Sequence, residues 1–422
     1  MKKYLYLLGS FICVGACSHS QHTVAAPATV QKDKIINHRV VQLKKRFQGL
    51  QKGRRDVIRI TQLGDSHSAA DLFTGRLRTV LQQAYGDAGI GWLAPLAVRG
   101  QRHDKITYQT SDWNLLDSRR DKYDGGYPMG GYVAKAQSDE AAIQLKPRSP
   151  QSGRWRLNLL VKDKHSEGKW KIIGYTVTLP TEIVSAGGDT AIGGIWLNKI
   201  LEKGVIVETV AANGAQNTLW DKWQADWLSR DLAKISRSDM VILAYGTNEA
   251  FNSRLDVRAF KQDITRRIQQ IRRALPKSVI LIIGAPEAYQ YPPEGEANTP
   301  STNTFDVSSD RPFSNADAAS TLAMSGAVRK NKREAGLLSH HCDSQRPLQL
   351  DGIQRVLATV AKQQGTLYWD WQQAMGGKCQ VPSLIDRGLM QKDGIHFTAQ
   401  GYRDSADKLI DYLQSIGLIS IN

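Results

Sequence analysis

The chain has 422 residues, of which 41% are hydrophobic and 23% charged, and this composition excludes a disordered or fibrous protein. Its length permits two domains, or one domain with an insertion. The formal net charge is +16, but Lys and Arg are spread over many segments and form no long basic run. We therefore expect no nucleic acid partner. A carboxylate-bearing surface, such as a cell wall, also fits the positive charge.

The first 17 residues have the pattern of an export signal. Lys2 and Lys3 precede an apolar stretch, residues 4–14, that is too short to span a bilayer comfortably. The following Val-Gly-Ala-Cys run resembles a bacterial lipoprotein cleavage box, in which Cys17 becomes the lipidated first residue. Ordinary signal cleavage that leaves Cys17 free is the alternative. We expect residues 1–17 to be a signal peptide, followed by a polar linker at residues 18–37.

The first part of the folded region has an α/β pattern. Residues 38–54 read as a basic amphipathic helix, residues 57–63 as a strand, and residues 71–85 as a helix with one apolar face. The glycine-containing run 86–91 ends that helix.

Between residues 92 and 203 the pattern changes. Short segments of alternating polarity, such as residues 154–159 and 170–177, are separated by glycine-rich turns. This predicts antiparallel strands in a small sandwich. Because α/β segments flank it, we expect an all-β domain at residues 92–203, inserted into a domain that residues 38–91 and 204–422 form together.

The α/β pattern returns at Gly204. We predict strands at residues 205–210, 240–245, 279–283 and 366–371, and helices at residues 218–235, 257–275, 353–360 and 399–416. Strands that alternate with helices predict a parallel sheet covered on both faces. Three tryptophans at helical spacing, Trp220, Trp223 and Trp227, are expected in the core and not at a sugar-binding surface.

Two cysteines follow the export signal. In an oxidising compartment, Cys342 and Cys379 predict a disulfide bond. A zinc site that uses His340 and His341 is the alternative, although no C-x-x-C or H-x-x-x-H pattern supports it. We expect neither a metal nor an organic cofactor. Residues 291–320 form a long polar loop whose role stays open.

Polar motifs follow the predicted strands. In an open parallel sheet the carboxyl ends of the strands meet at one edge, so residues far apart in sequence come together there. A serine becomes nucleophilic when a base accepts its proton, and the base needs a partner that fixes its tautomer. Taken singly, each motif could be only a turn or a helix cap. Together they predict a serine esterase. The motifs are Gly64-Asp65-Ser66-His67, Asn213-Gly214, Gly246-Thr247-Asn248-Glu249 and Asp393-Gly394-Ile395-His396.

These motifs resemble the four signature blocks of the SGNH, or GDSL, hydrolases. The runs at residues 85–91 and 368–377 resemble, more narrowly, the periplasmic peptidoglycan O-acetylesterases of Gram-negative bacteria. That resemblance implies a three-layer α/β fold with a central parallel sheet and an inserted, carbohydrate-binding-like sandwich. It is weak in the insertion and absent across residues 291–347. Glu249 stands where the broad family commonly has Asp.

The resemblance also implies a mechanism. Ser66 would attack an acetyl carbonyl, His396 would serve as general base and then acid, and Asp393 would orient the imidazole. The backbone N–H groups of Ser66 and Gly214 and the side-chain amide of Asn248 would form the oxyanion hole. The substrate would be O-acetylated glycan strands of peptidoglycan, deacetylated at the C6 hydroxyl of N-acetylmuramoyl residues. The protein would be periplasmic, and a lipid on Cys17 would hold it at the inner leaflet of the outer membrane.

Three alternatives remain open at this point. The same triad could transfer the acetyl group to a sugar, it could hydrolyse other carbohydrate or lipid esters, or the chain could be a wall-binding lipoprotein without activity. Sugar-stacking candidates are aromatic residues of the insertion: Trp113, Tyr123, Tyr127 and Tyr132. We expect His67, next to the serine, to have a structural role.

Overall fold

The computed structural model describes residues 28–163, 166–200, 203–290 and 342–421, with side chains from residue 38 onward. None of the helices in these ranges is long and apolar enough to cross a bilayer. The predicted export signal, Cys17 and the 291–320 loop lie outside the described residues.

The helices and strands follow the predicted order. The chain begins with α1 (Ala28–Gln51), β1 (Val57–Gly64), α2 (Ser66–Ala69) and α3 (Phe73–Tyr85). The insertion contributes β2 (Gly89–Leu93), β3 (Ile106–Ser111), β4 (Trp113–Asp117), β5 (Tyr132–Ala136), β6 (Ala142–Pro147), β7 (Trp155–Lys162), β8 (Lys171–Val177), β9 (Thr181–Val184) and β10 (Ala191–Lys199). Next come β11 (Gly204–Ala211), a 3-10 helix (Asn217–Lys222), a π-helix (Leu228–Ser236), β12 (Met240–Ala244), α4 (Thr247–Ala250), α5 (Val257–Ala274) and β13 (Val279–Ile283). The last part contains α6 (Leu350–Gln364), β14 (Leu367–Trp369), α7 (Trp371–Ala374), α8 (Val381–Asp386) and α9 (Ala399–Ser415).

A five-stranded parallel sheet forms the centre of the molecule. Its strand order is β11-β1-β12-β13-β14. The register pairs Gly64 with both Ala211 and Ala244, so three strands end at one level. The loops that follow these strands therefore start side by side at one edge of the sheet.

Apolar side chains cover both faces of this sheet because successive residues of a strand point to opposite sides. In β12, Met240 and Ile242 join a core with the apolar faces of α1, α3 and α9. Val241 and Leu243 join a second core with α5 and α6. The continuous apolar runs of the sequence are explained by this double burial.

The insertion is an antiparallel β-sandwich. One sheet has the order β4-β5-β10-β7-β8, with β2 also paired to β10, and the other has the order β3-β6-β9. A third core of buried aliphatic residues and Trp155 lies within it. The predicted fold class, a parallel α/β sheet with an added all-β region, is confirmed. The domain boundaries stay a prediction, although β2 already begins at Gly89.

The insertion and the parallel sheet share a hydrophobic core. Trp92 and Trp196 of the insertion belong to the same buried cluster as Leu63 and Val210 of the parallel sheet. Glu208 of β11, which is fully buried, adds a polar link, because its carboxylate accepts the Trp92 N–H at 2.8 Å. The two regions therefore pack as a continuous body.

The expected helix at residues 218–235 is wrong as a single element. A 3-10 helix and a π-helix stand there instead, with a break at residues 223–227. The break occurs because the insertion's backbone pairs with this segment: Tyr127 bridges Trp223, and the Gln224 N–H donates to the Tyr127 carbonyl at 2.7 Å. The three tryptophans are buried, as predicted for core residues.

The second half of the predicted linker is helical, because α1 begins at Ala28. Pro27 precedes it, and neither Gly nor Pro follows until Gly49. Pro is favoured around the first turn of a helix and disfavoured inside one. The sequence therefore favours a helix that starts near Pro27, and it contains no helix-breaking residue before Gly49.

Candidate active site

Ser66 stands at the junction between β1 and α2. A Cβ on Gly64 would lie 2.3 Å from Ser68 Oγ and 3.0 Å from the Ala244 carbonyl oxygen, so only glycine permits this turn. Asp65 caps α2, because its carboxylate accepts the His67 N–H at 3.0 Å. The turn presents the Ser66 hydroxyl at the edge where the sheet ends, and the serine is 9% exposed.

The structure brings Ser66, His396 and Asp393 together. His396 Nε2 lies 3.0 Å from Ser66 Oγ, and His396 Nδ1 lies 2.7 Å from Asp393 Oδ2. Asp393 Oδ1 also accepts the N–H groups of Ile395 and His396, each at 2.9 Å. With the Nδ1 proton donated to the carboxylate, the Nε2 lone pair faces the serine hydroxyl, which is the arrangement a general base needs.

The environment keeps Asp393 ionised. Partial burial opposes ionisation, but the His396 hydrogen bond and the two N–H donors outweigh it and lower the pKa of this carboxyl. A carboxylate that stays charged fixes the imidazole tautomer and stabilises the imidazolium when it forms.

The loop that carries His396 is held from two sides. The Gln391 N–H donates to the His396 carbonyl at 2.8 Å, and the Tyr289 N–H donates to the Gly394 carbonyl at 2.9 Å. Thr398 caps α9 by accepting the Gly401 N–H at 3.2 Å. The imidazole is therefore anchored both to the helix that follows it and to the segment after β13.

The three predicted oxyanion donors come shortly after β1, β11 and β12: Ser66 begins α2, Gly214 lies in a loop, and Asn248 belongs to α4. Ser66 is the first residue of α2, so its N–H has no acceptor within the helix. Gly214 adopts φ 72°, and within the described ranges no acceptor bonds its N–H. Asn248 Nδ2 donates to the Ala215 carbonyl at 2.9 Å, which fixes the amide and leaves its second N–H. Their role as an oxyanion hole stays a prediction.

Glu249 joins α4 to the 3-10 helix that follows β11. Its buried carboxylate accepts the backbone N–H of Asn217 at 2.8 Å and the Asn217 side-chain amide at 3.0 Å. Burial raises the pKa of Glu249. The sequence marked this position only as a departure from the family pattern, and nothing in the sequence pointed to Asn217 as its partner.

His67 has a structural environment, as expected. Its ring is 2% exposed, and Nδ1 lies 3.0 Å from the Tyr402 hydroxyl. Burial, with a contribution from His396, lowers the pKa of His67 to about 3, so the ring is neutral. A neutral ring supports α9 without adding charge beside the catalytic imidazole.

The sugar-stacking prediction is wrong for two of its four residues. Tyr127 and Tyr132 are 5% and 1% exposed, and their hydroxyl groups bond to the Asp121 carbonyl and the Gln101 amide. Their rings fill the core shared by insertion and sheet, so no sugar can stack on them. Trp113 and Tyr123 are partly exposed, so their role in sugar stacking stays a prediction. If their alanine variants bind glycan as the wild type does, this prediction is wrong.

Cys342 and Cys379 form a disulfide bond, with Cα atoms 5.6 Å apart. Neither sulfur is then free to bind a metal as a thiolate. His340 and His341, the other members of the alternative zinc site, lie outside the described residues.

A cavity of about 720 Å³ opens beside the site, between the insertion and the sheet edge. Ala69 and Ala211 belong to its wall, and each lies three residues from a predicted site residue. Cations predominate among its charged lining residues, which include Arg99, Arg102, Lys146 and Arg148. Neither the triad residues nor Gly214 or Asn248 line the cavity, so it neighbours the site without containing it.

Two family models match the sequence. The N-terminal region of peptidoglycan O-acetylesterase matches residues 88–180, and the GDSL-like lipase/acylhydrolase family matches residues 209–409. No curated protein matches the chain.

Solved structures resemble the protein to different degrees. A peptidoglycan O-acetylesterase is 32% identical, with coverage of 89% of this chain and 95% of its own and a TM-score of 0.71. GDSL-like lipases from Parabacteroides merdae and Bacteroides thetaiotaomicron are each 13% identical, with coverage of 51% and 50% of this chain, 74% and 76% of theirs, and TM-scores of 0.32 and 0.30. The two lipases are too distant to bear on function. The first similarity spans almost the whole of both chains, and we conclude that this protein belongs to the peptidoglycan O-acetylesterase family of GDSL hydrolases.

Proposed function

We propose that the protein is a serine esterase that removes O-acetyl groups from the C6 hydroxyl of N-acetylmuramoyl residues in peptidoglycan. The observation that carries the chemistry is the hydrogen-bonded chain from Ser66 Oγ through His396 to Asp393, at 3.0 and 2.7 Å. The substrate is supported by the peptidoglycan O-acetylesterase that is 32% identical over most of both chains.

In the first half of the reaction, Ser66 Oγ attacks the acetyl carbonyl carbon while His396 Nε2 accepts the hydroxyl proton. The carbonyl electron pair moves to oxygen, and the N–H groups of Ser66, Gly214 and Asn248 bind the resulting oxyanion. When the intermediate collapses, the muramoyl O6 leaves and takes the proton from His396. Acetate is now esterified to Ser66.

In the second half, His396 removes a proton from water, which attacks the acetyl-enzyme through the same tetrahedral geometry. The ester bond to Ser66 breaks, the serine oxygen recovers its proton from His396, and acetate departs. Asp393 stays ionised throughout and stabilises the imidazolium. Each oxyanion donor is worth about 2.7–4 kcal/mol in such reactions.

Replacement of the nucleophile tests the mechanism. Ser66→Ala should lower acetate release from O-acetylated peptidoglycan by about 10⁴-fold or more, because the acetyl-enzyme cannot form. His396→Ala should be about as severe, and Asp393→Ala should retain roughly a hundredfold more activity, since the orienting residue matters less than the base. An enzymatic assay for free acetate measures all three.

Circular dichroism and the melting temperature of Ser66→Ala provide the control, since loss of one hydroxyl should leave the fold intact. Near-normal turnover by a folded Ser66→Ala protein would remove the mechanism. An active wild type that prefers octanoyl to acetyl nitrophenyl esters, or that acetylates a sugar in preference to water, would keep the triad and reject the proposed reaction.

A peptidoglycan substrate supports a periplasmic or extracellular location. We propose that the protein is periplasmic, that residues 1–17 direct its export, and that a lipid on Cys17 holds it at the outer membrane. The lipoprotein-like Val-Gly-Ala-Cys run supports this anchor. Radiolabelled palmitate should be incorporated by the wild type and not by Cys17→Ser; equal labelling would reject the anchor.

A further inference from the structure

The inserted β region contacts the loop that carries Gly214. Arg119, two residues beyond β4, donates from Nη1 to the backbone carbonyl of Asn213. Asn213 is also held by its side chain, whose Nδ2 donates to the Gly100 carbonyl at 2.9 Å. Both contacts come from the insertion.

The carbonyl of Asn213 and the N–H of Gly214 belong to one peptide group. In a planar trans peptide these two bonds point in opposite directions, so a group that fixes the carbonyl also fixes the direction of the N–H. A charged donor on the carbonyl oxygen polarises the peptide, which makes the N–H on the other side a stronger donor. By bonding the Asn213 carbonyl, Arg119 therefore fixes the direction of the Gly214 N–H and strengthens it as a donor.

The guanidinium is itself held firmly. Asp117, whose side chain is 4% exposed, accepts Arg119 Nε at 3.0 Å and Nη2 at 2.5 Å. Burial opposes the ionisation of Asp117, but the hydrogen bonds from Arg119 prevail and lower its pKa. The carboxylate occupies one edge of the fork, and Nη1 is directed at the Asn213 carbonyl. A planar fork reaches the carboxylate and the carbonyl from separate nitrogens held in a fixed geometry, whereas an ammonium must reach both acceptors from one nitrogen.

Gly214 is placed to use this support. It is exposed at the sheet edge, and a Cβ at this position would meet no atom within 4 Å. Its neighbour Ala215 accepts the side chain of Asn248, another proposed oxyanion donor. The peptide that Arg119 fixes thus lies between the insertion and the remaining oxyanion donors.

We propose that Arg119 is a positioning residue of the oxyanion hole, which the inserted β region supplies to the catalytic site through the Asn213–Gly214 peptide. This inference rests on the proposed function. It assigns the insertion a part in the chemical step, in addition to any part in glycan binding.

The test compares Arg119→Gln with Arg120→Gln in the full-length protein. Arg120 provides a matched control, because it also contacts Asp117, at 3.3 Å, but its side chain is 75% exposed and it does not bond Asn213. With 4-nitrophenyl acetate as the substrate, Arg119→Gln should lower kcat by about 10- to 100-fold with KM within about twofold, a smaller loss than deletion of a donor causes. Arg120→Gln should match the wild type.

A second measurement separates positioning from general structural damage. Methylboronic acid forms a tetrahedral adduct on the serine oxygen, and this adduct uses the oxyanion donors as the transition state does. Its inhibition constant should rise in Arg119→Gln by the same factor as kcat/KM falls. A drop in kcat with an unchanged boronate constant would assign Arg119 a merely structural role and overturn the proposal.

Arg119→Lys keeps the charge and most of the stem, and it serves if the Gln variant does not fold. Because an ammonium cannot reproduce the separate Nε, Nη1 and Nη2 contacts of Arg119, kcat should fall by at least about threefold and the boronate constant should rise in parallel. Wild-type values in both assays would overturn the proposal. Failure of the proposed function is distinguishable, because the wild type itself would then not hydrolyse acetate esters through Ser66.

Discussion

Asp65 is a buried carboxyl directly beside the serine. It is 1% exposed, and burial, with a contribution from nearby Glu249, raises its pKa to about 8. Its oxygen still accepts the His67 N–H, so the residue acts as the cap of α2 whether or not it is ionised. The motif that presents the serine therefore contains a group with an unusual proton affinity.

This group should make stability depend on pH. An unfolded Asp has a pKa of about 3.9, so between about pH 4 and 8 the folded state holds a proton that the unfolded state has lost. Raising the pH through this window lowers the free energy of unfolding, by at most about 1.4 kcal/mol per pH unit for one group. Asp65→Asn, which still accepts the His67 N–H but cannot ionise, should remove this contribution.

Urea unfolding at pH 6.5, 7.5 and 8.5 measures the difference between the two proteins. This range avoids the buried His67, whose lowered pKa gives the opposite slope below about pH 6.5. The wild type should lose stability relative to Asp65→Asn as the pH rises. Parallel curves for the two proteins would mean that Asp65 is already ionised in the folded state.

At the scale of elements, α9 determines where the imidazole lies. The helix starts three residues after His396, and its first turn packs on the backbone of Leu389. Leu389 accepts the Thr398 N–H at 3.0 Å. A Cβ on Gly401 would lie 1.8 Å from that same carbonyl oxygen, so the absence of a side chain permits the close approach.

Two helical glycines provide a matched comparison. Gly401→Ala should push α9 away from Leu389, destabilise the protein by about 1–3 kcal/mol through overpacking, and displace His396. Because a shift of about 1 Å in a catalytic group can cost about a hundredfold, kcat should fall by about tenfold or more. Gly352→Ala in α6 meets its nearest neighbour at 3.7 Å, and it should stabilise by about 0.5–1 kcal/mol.

Melting temperatures and kcat on 4-nitrophenyl acetate measure both variants. If Gly401→Ala has the same melting temperature and kcat as Gly352→Ala, then α9 can adjust its position and its packing on Leu389 does not determine where the imidazole lies.

At the scale of the molecule, the net charge and the cation-lined cavity favour an anionic polymer. The formal charge is +16, and Arg99, Arg102, Lys146 and Arg148 line the cavity next to the site. Stem peptides of peptidoglycan carry carboxylates that such a surface attracts. The attraction acts on the polymer and not on a small neutral ester.

Salt should therefore change KM for an anionic wall substrate more than KM for a small neutral ester. Raising NaCl from about 50 to 500 mM shortens the Debye length from roughly 14 to 4 Å, so KM for soluble O-acetylated wall fragments should rise several-fold. KM for neutral 4-nitrophenyl acetate should stay within about twofold over the same range. If the wall-fragment KM does not respond to salt, the cations do not contribute to substrate binding.

Local pattern determined much of this protein. The strand at Val279–Ile283 was predicted to the residue, and the helix from Ala399 ended within one residue of its predicted limit, because apolar periodicity reports directly on which faces are buried. The motifs around Ser66, Asn248 and Asp393 could be assigned to one sheet edge, since parallel strands end together. The α/β class and the candidate triad residues followed from such local signals, and the role of each triad residue followed from the family resemblance.

Only the tertiary structure decided the rest. The backbone pairing between Tyr127 and Trp223 broke a helix that spacing alone predicted, and burial in a shared core removed Tyr127 and Tyr132 from the sugar-binding candidates. The bond from Arg119 to Asn213 joins residues 94 positions apart. Contacts of this kind depend on how two regions pack against each other, and no periodicity along one chain encodes which side chain will meet which carbonyl.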